Sequence, residues 1–120
     1  MKQKTLAGPL LVLALSVAGC ATTGAVNASG LGSAAQPVRA DMPPGQRAWL
    51  DRLRCEDGSA PGYQRLGSIG IGGDGHVVDA YEVRCADQPA LVIHMDMYHP
   101  GYVEAEAPAP FSLVAPRSAF

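Results

Sequence analysis

His76–His99 reads HVVDAYEVRCADQPALVIHMDMYH, and the fold turns on how this stretch is divided. HVVDAYEVRC (76–85) and ALVIHMDMYH (90–99) are rich in β-branched and aromatic residues, and they flank ADQP, a turn composition. Upstream, YQRLGSIGI (63–71) is a third such run, set off from the second by GGDG (72–75). Loops this short make neighbouring strands antiparallel. A GDG loop with Gly75 left-handed, followed by a five-residue loop over 86–90, gathers the large apolar residues on one face. Ile69, Ile71, Val77, Tyr81, Val83 and Cys85 then share that face with Leu91, Ile93, Met95 and Met97, and register follows such a pattern. Asp79 is the misfit. It points inward beside Met97, which calls for a bulge or an arginine partner.

Further upstream, PPGQRAWLDRLRC (43–55) reads as one short helix ending near Cys55. Prolines suit a first helical turn. Trp49 and Leu53 lie one turn apart beside Leu50, and Asp51 is spaced to meet Arg47 and Arg54 on the other side. The expected fold class is therefore α+β: one short N-terminal helix packed on a small antiparallel three- to four-stranded meander, with an edge strand at Phe111–Val114 as the fourth.

The outer face of that meander carries the side chains capable of chemistry. In the expected register Glu82 lies opposite His94, with Asp96, Arg84 and Tyr98 nearby. The plain reading is a solvated cross-strand ion pair. A sharper one is a recognition surface of Glu82, His94, Asp96 and Tyr98, with tyrosine as the natural anchor. The third is a metal or hydrolytic site using His94 and Asp96, with His76 and His99 as a second pair near the same end of the sheet. Alternation along a strand puts His99 on the opposite parity from His94 and Asp96, so a His-Asp-His triad forms only if the chain kinks before Pro100. No catalytic residue and no cofactor is assigned.

The N-terminus is more specific. Lys2 and Lys4 precede LLVLALSV (10–17), an apolar run well short of the roughly 20 residues that span a bilayer, followed by small residues in the manner of an export signal. VAGC (17–20) resembles the lipobox of bacterial lipoproteins, with Val17 where leucine is commonest. That resemblance implies cleavage before Cys20, lipidation of its sulfur and acylation of its amine. Several acyl chains, each CH₂ worth about 0.8 kcal/mol when buried, hold a protein where one chain does not. Ala21 instead of aspartate implies sorting to the outer membrane, facing the periplasm.

Removing Cys20 from the three cysteines leaves Cys55 and Cys85, an even pair in an oxidising compartment. No C-x-x-C spacing supports a zinc site built on them, so a disulfide is expected. Residues 1–19 are read as signal, 20–42 as lipidated terminus and Ala/Gly/Ser-rich tether, and 43–120 as a stapled domain with a Pro-rich tail. Beyond the signal the chain has seven arginines, no lysine and eleven carboxylates. It offers no basic cluster for nucleic acid.

Two literal motifs are set aside. GIGGDG (70–75) spells a dinucleotide fingerprint, but strand-like residues follow it where a helix is needed. LGSIG around Ser68 lacks the first glycine and the helix of a nucleophile elbow. The function expected is a membrane-anchored envelope protein, a non-enzymatic binding or structural module meeting an envelope protein or cell-wall partner. The alternative is a metal-binding protein or metal-dependent hydrolase.

Overall fold

The computed structural model describes residues 25–26 and 30–117; the signal segment and Cys20 lie outside them. In chain order the elements are β1 (Ala25–Val26), β2 (Val38–Asp41), α1 (Met42–Leu50), β3 (Leu53–Arg54), β4 (Gly62–Ile71), β5 (Val77–Arg84), β6 (Leu91–Asp96), β7 (Tyr98–Val103) and β8 (Ser112–Leu113). The main sheet runs β4-β5-β6-β2-β7, with β1 also on β6, while β3 and β8 form a separate pair. β4, β5 and β6 are antiparallel, β2 lies parallel to β6, and β7 returns antiparallel to β2. The fold is thus sheet-dominated and mixed, and the expected helix on a three- to four-stranded meander is corrected.

Two features cause the difference. The run read as one strand, 90–99, stops at Asp96 and turns at Met97. β7 then folds back with β2 seated between it and β6, and the Met42 amide donates to the Met97 carbonyl at 2.8 Å. That inserted strand, VRAD, comes from the stretch read as tether, and its Val38 is wholly buried. Four residues are too few for alternation to separate them from a polar linker.

The helix begins at Met42 with both prolines in its first turn and closes at Leu50, earlier than expected. Leu53 and Arg54 then enter β3, whose partner β8 supplies Leu113 and Ser112. Trp49, Leu50 and Leu53 pack with Val38, Tyr81, Val83, Ile93 and Met95 into the core. At its margin Cys55 and Cys85 form the disulfide, with Cα atoms 6.0 Å apart. This links the end of the helical layer to the end of β5, as the cysteine count implies.

Strand faces are largely as expected, but pairings are not. β5 and β6 pair Glu82 with Val92 and Ala80 with His94, a slip of two that preserves parity and keeps Tyr81, Val83, Ile93 and Met95 facing the core. At the β4–β5 tip, Ile71 pairs with Val77 and the Gly72 amide donates to the His76 carbonyl, as a GDG loop requires. Beyond the tip, bulges between Arg65 and Gly67 and between Ser68 and Gly70 shift the register. Gly67 and Gly70 sit at φ 135° and 124°, where side chains are disfavoured. Ile69 and Ile71, expected in the core, are half or more exposed.

The second face of the sheet is not wet. Val78 and Ala80 are buried there too. The segment 30–37 reaches the β4–β5 tip, where the Gly73 amide donates to the Ala34 carbonyl at 2.9 Å. A Cβ on Gly73 would run into the Ala35 carbonyl.

Candidate functional site

The outer-face surface expected from the sequence is not assembled. His94 is 7% exposed, its ring Nδ1 3.0 Å from the Gly32 carbonyl, while its own amide donates to the same oxygen at 2.7 Å. It is a packed residue tying the 30–37 segment to β6. Glu82 accepts from its neighbour Arg84 at 2.8 Å, and only Tyr98 is substantially exposed. Asp96 has no exposed surface at all.

Asp96 instead joins the second pair. His76, at the end of the β4–β5 loop, places Nδ1 2.8 Å from Asp96 Oδ2. His99, in β7, places Nε2 3.2 Å from the same oxygen. One ligand-type atom from each of the three lies within 4.8 Å of the others. The parity argument against such a grouping fails because β6 does not continue through 97. Asp96 Oδ1 accepts the Tyr98 amide at 2.9 Å, a local bond of the kind that ends regular strand structure, and the kink brings His99 round. Around the group the rings of Tyr98 and Tyr102 meet His76 and His99 edge-on, with centroids 5.7 and 6.2 Å apart.

Asp74 and Arg39 were missed at the sequence level. Arg39 grips both oxygens of Asp74, with Nε and Nη2 bonds of 2.6 and 2.8 Å. That contact holds the Asp74 carboxyl below the usual carboxylate range, its largest cause being the hydrogen bond from Arg39. Asp74 Oδ2 also lies 3.1 Å from His99 Nε2. Asp74 sits in a loop whose glycines explain themselves, and Arg39 lies in the apparent tether, so neither carried a signal.

A separate polar network accounts for Asp79. It is buried and accepts from Gln46 (3.1 Å), Arg65 (2.9 Å) and Ser68 (3.0 Å), so both the bulge and the arginine partner are present. Burial pushes its carboxyl up, but the bonds from Arg65, Gln46 and Ser68 outweigh this and hold it below its ordinary value. Gln46 in turn accepts from the Tyr81 hydroxyl at 3.1 Å. Each of the five side chains bonds to another of the set, as a structural network requires.

Two cavities, of about 490 and 330 Å³, lie elsewhere, one between α1, β7 and the segment after β8, the other beside the disulfide. Neither is lined by His76, Asp96 or His99. Among the described residues no helix is long and apolar enough to cross a membrane. Comparison with family models, curated proteins and solved structures finds no match.

Proposed function

We propose that this chain is a lipid-anchored protein of the bacterial envelope that acts by binding, and that its binding end is the corner of the sheet where His76, Asp96 and His99 meet. The observation that carries the binding end is the state of Asp96. It is a wholly buried carboxylate whose ionic partners among the described residues are two imidazoles. Buried charges persist when paired or when they coordinate a cation. The anchoring rests on the order of positive charge, short apolar run, small residues and Cys20, together with a disulfide of the kind found in export compartments. Outer-membrane placement facing the periplasm, with an envelope or cell-wall partner, remains part of this reading.

Palmitate labelling in a bacterial host tests the anchor. The chain should take up label and fractionate with membranes, and Cys20→Ser should abolish both. Label-free processing to a soluble product would overturn the reading, as would normal cleavage when the lipoprotein signal peptidase is inhibited.

A further inference from the structure

His99 Nε2 has no solvent contact and no hydrogen bond, although two carboxylate oxygens, from Asp74 and Asp96, lie 3.1 and 3.2 Å away. A cation placed among His76 Nδ1, Asp96 Oδ2 and His99 Nε2 would take the lone pair of that nitrogen. Donors bound at about 2.0–2.1 Å to a tetrahedral ion lie roughly 3.3–3.4 Å apart. The Asp96 oxygen lies 3.2 Å from His99 Nε2, close to that spacing, and 2.8 Å from His76 Nδ1, a hydrogen-bond distance that opens by about half an ångström when an ion replaces the proton.

Support around the donors has the form such a site needs. The Tyr98 amide fixes Asp96 through its other oxygen, as outer partners orient metal-bound carboxylates. Arg39 holds both oxygens of Asp74, so that carboxylate is committed to the guanidinium and is not one of the donors. The donors come from the β4–β5 loop and from the corner between β6 and β7, so an ion here ties that loop to that corner.

We propose that His76, Asp96 and His99 hold one divalent transition-metal ion of the zinc class, with water in the fourth position. This rests on placing the binding end at the same corner. Donor chemistry selects the class: two imidazoles favour zinc and its first-row neighbours over magnesium and calcium, which take oxygen ligands. Among the described residues no cysteine thiolate is free to draw a thiophilic ion, since Cys55 and Cys85 are joined to each other. His94, the ligand favoured by sequence spacing, lies outside the group of donor atoms that stand within 4.8 Å of one another.

The test titrates zinc chloride calorimetrically into the chelator-treated full-length chain in detergent, with cobalt(II) as a spectroscopic probe. One ion per chain is expected, with visible bands of a four-coordinate cobalt. His99→Ala and Asp96→Asn should each weaken zinc binding by about tenfold or more, and His94→Gln should leave it within about threefold. His76→Gln, at a half-exposed ring, gives the same answer should His99→Ala fail to fold. Absence of zinc binding would overturn the proposal, as would equal affinity in the ligand variants or equal binding of magnesium. If zinc fails to bind while palmitate labelling persists, the metal assignment falls and the anchored reading stands.

Discussion

Replacing Asp79 with alanine tests the fold where the sequence was hardest to read. The side chain is buried against Gln46, which is itself only 1% exposed, and it accepts the Gln46 amide hydrogen at 3.1 Å. Alanine leaves that donor without a partner, a loss of about 1–3 kcal/mol, and opens a small void with a further cost of about 1 kcal/mol. The Arg65 contact adds less, because the guanidinium is half exposed and water screens its charge. A destabilisation of about 3 kcal/mol follows for Asp79→Ala, and a clearly smaller one for Arg65→Ala. Urea unfolding at neutral pH with the disulfide intact measures both. Equal losses in the two variants, or an Asp79→Ala loss within about 0.5 kcal/mol of zero, would refute the reasoning. The pH dependence has a definite sign. Asp79 and Asp74 titrate lower in the folded chain than ordinary carboxyls. Their stabilising effect is therefore complete above the unfolded carboxylate range, about pH 4, and is lost as pH falls through the lower folded values. Asp79→Asn should flatten this acid limb.

Three further outcomes are expected. Reducing Cys55–Cys85, which closes a loop with a sequence separation of 30, should remove about 3–4 kcal/mol and lower Tm by more than about 10 °C; an unchanged melting curve would deny the bridge a structural role. His94→Ala, an exposed-pair substitution on the sequence reading, should instead cost about 2 kcal/mol or more, checked by the same unfolding curves. Gly73→Ala forces a methyl into the Ala35 carbonyl, and should loosen the 30–37 segment enough to raise amide exchange at His94 by at least about tenfold.

What the sequence made legible follows from which signals are local. Cys55–Cys85 came from counting, and the facing of Tyr81, Val83, Ile93 and Met95 came from alternation, which a slip of two residues leaves intact. The GDG turn at 73–75 followed from glycine chemistry. The architecture was lost at two places where local signals are weak. Val38–Asp41 is a short strand inside small and polar residues, and its burial depends on β6 and β7 standing either side of it. Treating 90–99 as one strand concealed the turn at Met97, so His99 was assigned the wrong direction. The same error made His94 the leading ligand and left Asp96 on an imagined solvent face. Once the kink is known, three of the four candidate ligands fall together, and the segment taken for tether becomes part of the cover that buries the fourth.

The most direct measurement is the metal content of the full-length chain purified from bacterial membranes in buffers without added metal, by elemental mass spectrometry. The account predicts close to one zinc-class ion per chain, lost in His99→Ala and retained in His94→Gln. A metal-free chain, or equal metal in both variants, would contradict it.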